Sequence, residues 1–96
     1  MTATADILGN LVEGSTYQLD TAPDGEGGTR WDLFLYQRVE DVLGWHQIET
    51  RTTATPPNGH YRDAGRGWLR SLGHDPDAMD IVMILPDGVE RLRPGG

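Results

Sequence analysis

The ten residues RWDLFLYQRV, positions 30 to 39, constrain this chain more than any other stretch. On a strand, Trp31, Leu33, Leu35 and Val39 share one face while Phe34 and Tyr36 occupy the other. A strand apolar on both faces is expected inside a sheet, with a helix or second layer over it. In 96 residues there is room for one core, so the rest of a single domain spanning 1–96 must assemble around this strand.

The flanking segments supply candidates. TYQLDTA, 16 to 22, alternates with Tyr17 and Leu19 on one side, and PDGEGGT, 23 to 29, is an acidic turn leading into the central strand. Glu40-Asp41 marks a tight turn to a third strand, VLGWHQIETR. Its phase is broken, because Trp45 and Ile48 have opposite parity, and Gly44 is the expected bulge. TTATPPNGH, 52 to 60, is a connection. Tyr61, Ala64, Gly65, Trp68, Leu69 and Leu72 then recur at i, i+3, i+4, i+7 and i+8, one face of a helix that Gly73 ends. DPDAM carries the Asp-Pro of a cap and first turn, DIVMIL is a buried strand, PDG its turn and VERLR the return. A short helix over residues 3–13, built on Ile7, Leu8, Leu11 and Val12, precedes all of this, and the tail 94–96 is frayed.

The expected fold is therefore α+β: a small antiparallel sheet of four to five strands packed against one or two short helices. A strongly bent half-barrel of SH3-like type is the alternative.

Composition excludes several kinds of chemistry. There is no cysteine, hence no disulfide, thiolate ligand or thiol nucleophile. All eight basic residues are arginine, so lysine Schiff-base chemistry is absent as well. The longest apolar run, IVMIL at 81–85, is too short to span a bilayer, and the N-terminus holds Asp6 without a basic segment. A soluble, cytoplasmic protein without membrane contact is expected. The net charge of −7 is polarised: residues 1–49 contain nine acids and two arginines, residues 50–96 six of each.

Inside the more balanced half, Arg62, Arg66 and Arg70 stand four apart, within about 80° on a helical wheel. Such a stripe suits an acidic partner surface or a run of phosphates. It is equally the solvated face that any amphipathic helix needs. Nucleic acid is not expected, because counterion release rewards a cationic surface and this chain is acidic.

Other site candidates are few. His74, Asp75, Asp77 and Asp80 gather oxygen and nitrogen ligands in HDPDAMD, against the fuller donor sets of structural zinc sites. DGEGG lacks the ligand spacing of a calcium loop. Ser15 and Ser71 lack the setting of an exposed nucleophile, and no spacing selects one pair among fifteen carboxylates. His60, at the mouth of the helix beside Arg62, is the least unfavourable catalytic base.

Trp45, flanked by Tyr36 or His46, would anchor a contact if exposed. The function expected is a non-enzymatic, cofactor-free protein–protein interaction module: an adaptor, an inhibitor or immunity-type partner, or an assembly component. It would use Arg62, Arg66, Arg70, Trp45 and Tyr36, and the stripe would favour an acidic partner. A ligand-binding or enzymatic domain, with a pocket between the 60–72 helix and the sheet, is the alternative. A homo-oligomer covering Trp45 or IVMIL is a third.

Overall fold

The computed structural model describes residues 9–56 and 60–94. Five strands, β1 (Thr16–Pro23), β2 (Gly28–Val39), β3 (Val42–Ala54), β4 (Asp80–Leu85) and β5 (Gly88–Leu92), form one sheet in the order β3-β2-β1-β4-β5. One helix, α1 (Tyr61–Ser71), and a 3-10 turn (Pro76–Ala78) connect β3 to β4. The fold is α+β, as the patterns require, and β2 lies inside the sheet as its two apolar faces demand.

The sheet is mixed rather than antiparallel. β1 pairs antiparallel with β2 but parallel with β4, from Thr16 opposite Asp80 to Asp20 opposite Ile84. The cause is the crossover. β3 ends at one edge, α1 carries the chain back across one face, and β4 therefore enters beside β1 in the same direction. The sheet stays open, with β3 and β5 as its edges, so the half-barrel is not formed.

The core lies between α1 and the sheet. Leu19, Trp31, Leu33, Ile81 and Met83 are buried beneath Trp68 and Leu69, with Tyr61, Ala64 and Leu72 packed around them. The helical face legible in the sequence is the buried face. Gly65 is where helix and sheet approach most closely: a Cβ built there would lie 3.0 Å from Leu19 Cδ2, 3.1 Å from Trp31 Cζ3 and 3.2 Å from Met83 Cε. The helix ends in a Schellman motif, with Gly73 N–H donating to Arg70 O and His74 N–H to Leu69 O, Gly73 having φ of +90°.

Two local expectations need correction, the end of β3 and the place of the bulge, and others fall partly outside the described residues. Residues 9–13, the described part of the proposed N-terminal helix, are bends, open chain and turn, and residues 3–8 lie outside the described residues. β3 runs on to Ala54, three residues beyond the expected end at Arg51, because β2 continues to pair with it down to Gly28 opposite Ala54. Of the expected 52–60 connection, residues 57–59 lie outside the described residues; the tail's last two residues, 95–96, do too.

The bulge is not at Gly44. Leu33 faces Glu49 and Phe34 faces Gln47, so Ile48 is the extra residue, and this reconciles Trp45 and Ile48. A Cβ at Gly44 would meet open space, so that glycine relieves no crowding beside Trp45.

Candidate functional site

β2 and β3 are long strands, and β1 accompanies them only part of the way. The pairing of β1 with β2 stops at Tyr17 opposite Leu35, whereas β2 and β3 stay paired to Val39 opposite Val42. The end of this hairpin therefore projects as a two-stranded arm. Its turn is Glu40-Asp41, with φ of 51° and 66°, the left-handed pair of a type I′ connection.

The arm is apolar on both faces. On the face away from α1, Tyr36 stands opposite Trp45, their rings 5.4 Å apart and inclined at 60°. Leu43 follows Trp45 on that face. Val39 and Val42 pair on the other. Val39 is 41% exposed, Val42 60% and Leu43 40%, while Tyr36 and Trp45 are half-buried. Val12, also exposed, precedes Gly14, whose N–H donates to Tyr36 O at 2.7 Å, so the incoming chain adds to the apolar surface. Around the patch stand Glu40, Asp41 and Glu13, the last 3.6 Å from Arg38.

Trp45 and Tyr36 are thus brought together by register, but away from the helix. A pocket shared by Tyr36, Trp45, His60 and Arg62 is not assembled. His60 lies at the helix entrance, exposed, with Nδ1 3.9 Å from Asp63 Oδ2, and lines a groove of about 530 Å³ with Trp31, Trp68 and Thr53. Arg62 opens into different cavities. Among the described residues of that groove both threonine hydroxyls are engaged: Thr53 Oγ1 accepts from Trp31 Nε1 and donates to Ala54 O, and Thr55 Oγ1 donates to Gly27 O.

The arginine stripe divides. Arg62 Nε is 3.1 Å from Glu90 Oε1, and Arg66 is paired with Asp77. Arg70 has no ion pair among the described residues. The counter-charges come from the C-terminal half of the chain and not from the acidic N-terminal half.

The HDPDAMD residues also separate. The His74 ring meets Tyr17 edge-on at 5.6 Å; Asp75 caps the 3-10 turn by accepting from Asp77 N–H; Asp77 pairs with Arg66; Asp80 opens β4 and binds Thr16 and Arg91. Among the described residues no three acids or histidines converge as metal ligands.

Two carboxylate arrangements escape sequence reading. Asp20 and Asp32 lie directly opposite one another on β1 and β2. Asp32 accepts from Arg30 Nε at 3.0 Å and Thr50 Oγ1 at 2.7 Å, whereas Asp20 has Gln18 Nε2 at 2.9 Å. Burial pushes the Asp20 carboxyl above its ordinary value; the Gln18 bond opposes this and the neighbouring Asp32 charge adds to it.

The second arrangement is Asp80, which accepts two hydrogen bonds of 2.8 Å from Arg91 and one of 2.9 Å from the fully buried Thr16. The Arg91 bond holds Asp80 below the usual carboxylate range against the opposing cost of burial, with Thr16 assisting. Arg91 also donates to Gly9 O and Asn10 O, fastening the start of the described chain to β5. A pairing 64 residues apart in sequence leaves no local signal.

No family model matches this chain, nor does any curated protein or solved structure.

Proposed function

We propose that the protein is a non-enzymatic protein–protein interaction module, of adaptor, inhibitor or assembly type, that docks through the β2–β3 arm. The observation that carries this reading is the arm's exposure of apolar residues on both faces where the remaining sheet gives it no support. Isolated two-stranded ribbons are marginal in water, so a partner that covers the arm gains buried area and also fixes the ribbon. The Tyr36–Trp45 pair supplies a large, pre-positioned contact of the kind that dominates interface energies. The partner that fits is apolar at its centre with a basic rim, complementary to Glu40 and Asp41.

Two intramolecular ion pairs occupy most of the arginine stripe, so the arm supports docking better than the stripe does. The alternative of a ligand-binding or enzymatic domain lacks a shared pocket for its expected residues. A cytoplasmic setting belongs to the same proposal. Among the described residues, no helix is long and apolar enough to cross a membrane.

The test compares wild type with a Val42→Asp/Trp45→Ala double variant, both verified as folded by circular dichroism. Each is used to capture proteins from host lysate at about 0.15 M salt, and each is run alone in sedimentation velocity. Loss of a discrete captured protein from the variant supports the arm as a docking surface. Association of wild type with itself, abolished in the variant, makes the partner a second copy. Identical capture and identical sedimentation by both proteins overturns the reading.

A further inference from the structure

The end of the sheet beneath the start of α1 holds a cavity that docking through the arm does not use. Leu19, Trp31 and Met83 belong to the core, and Thr21, Thr29 and Leu85 each stand two residues from one of them on β1, β2 and β4. Alternation therefore puts all three on the helix-facing side of the sheet. Tyr61, the first residue of α1, reaches the row of Trp31, their ring centroids 6.3 Å apart. Pro23 opposite Thr29 is the next pair on that face, and it lies beyond the helix. A cavity of about 460 Å³ remains there, floored by Thr21, Thr29 and Leu85, walled by Tyr61 and rimmed by Gly27 and Pro86.

Its lining differs from the rest of the surface. Of the whole chain 24% is charged, yet none of the described residues around this cavity is. Two of its hydroxyls are engaged: Thr21 Oγ1 donates to Ile84 O at 2.9 Å, and Thr55 Oγ1 to Gly27 O at 2.8 Å. Thr29 is buried, with Thr55 Oγ1 at 3.4 Å from its own hydroxyl. The Tyr61 ring packs against the core, but its hydroxyl has no hydrogen-bond partner among the described residues. The cavity thus combines apolar surface from Pro23, Leu85 and Pro86 with one available phenolic group, which can donate or accept.

We propose that this cavity binds a small neutral molecule of about one or two rings, its apolar body against Pro23, Leu85 and Pro86 and one polar group bonded to the Tyr61 hydroxyl. The volume and the apolar lining with a single placed polar group are those of small-molecule sites. Ions are disfavoured on two counts. A charge moved out of water into this lining finds no counter-charge, and the net charge of −7 repels anions further. A neutral ring instead extends the core where the helix stops short of the sheet's end.

The test uses indole as the probe, followed by ¹H–¹⁵N NMR, with indole-3-acetate and tryptamine as its charged counterparts. The expected result is saturable indole binding with the largest shifts at residues 21–29, 61 and 84–86, and binding at least about tenfold weaker for both ions. Tyr61→Phe keeps the ring and should weaken indole by about fivefold, the worth of one hydrogen bond, while leaving 1-methylindole, which lacks the N–H, unchanged. Leu85→Glu, which brings a charge into the lining, should remove saturable binding. The two variants occupy different elements, so a folding defect in one leaves the other informative. Unsaturable shifts, shifts centred on Tyr36 and Trp45, or ions bound as tightly as indole would overturn the site. Equal effects of Tyr61→Phe on indole and 1-methylindole would overturn the role of the hydroxyl. Retention of indole binding by Val42→Asp/Trp45→Ala separates this outcome from the fate of the arm.

Discussion

Gly65 and Gly67 sit two residues apart in the same helix, and replacing each by alanine should move stability in opposite directions. Alanine gains about 1 kcal/mol over glycine in a helix interior, by propensity alone. At Gly67 the new methyl meets open space, so this gain should appear nearly in full. At Gly65 the methyl enters contacts of 3.0–3.2 Å with Leu19, Trp31 and Met83. The leucine and methionine termini are flexible, but both residues are fully buried. The Trp31 indole is rigid, and its Nε1 is held by Thr53 Oγ1 at 2.8 Å. Overpacking of this kind costs about 1–3 kcal/mol, which offsets the propensity gain and leaves a net loss near 1 kcal/mol. Urea unfolding followed by fluorescence should show Gly67→Ala raised and Gly65→Ala lowered in midpoint with an unchanged slope. The corresponding difference in Tm is roughly 10 °C for a chain of this size. Equal stabilisation by both substitutions would refute the close approach of helix and sheet at residue 65.

Asp80→Asn should cost about 3 kcal/mol at pH 7, since it leaves the buried Arg91 guanidinium without its counter-charge. Because Asp80's folded pKa is depressed, its contribution is complete above the ordinary carboxylate value near 3.8 and is lost as pH falls through the lower folded value. Urea midpoints at pH 7, 4 and 3 should therefore fall more steeply for wild type than for the variant. The turn offers a gain: Glu40→Asn/Asp41→Gly installs residues suited to positive φ and should raise stability by about 1 kcal/mol, read from the thermal midpoint.

Local periodicity carried the helix and most strand positions. The 61–72 face was legible because Trp68 and Leu69 recur at helical spacing, and the Gly73 cap because a left-handed terminus favours glycine. The parallel β1–β4 pairing was not legible, since alternation records which face a residue occupies and not which strand lies beside it. The parity conflict between Trp45 and Ile48 signalled a bulge, yet the presence of Gly44 drew it to the wrong residue. A bulge needs an extra residue in the ladder, and Ile48 supplies it without glycine. The candidate surfaces follow the same division. Tyr36 and Trp45 could be named from sequence, but their tilted ring contact depends on register across the turn. Arg62 meets Glu90 only because β5 lies beside the start of α1.

The parallel pairing at the middle of the sheet also sets the order of events in folding. The β1–β2, β2–β3 and β4–β5 hairpins close over loops of four, two and two residues and are expected to form early. β1 joins β4 only when Thr16 meets Asp80, a closure spanning 64 residues. Loop entropy defers that step, so the two halves of the sheet meet late and folding is slowed toward the millisecond range of proteins rich in non-local contacts. Until then Leu19, Ile81 and Met83 have no neighbouring strand across the seam. A chain stalled at this stage would have a β1–β2–β3 meander, a β4–β5 hairpin and an unprotected join between them, so the centre of the finished sheet is expected to be its last part to gain shelter from solvent.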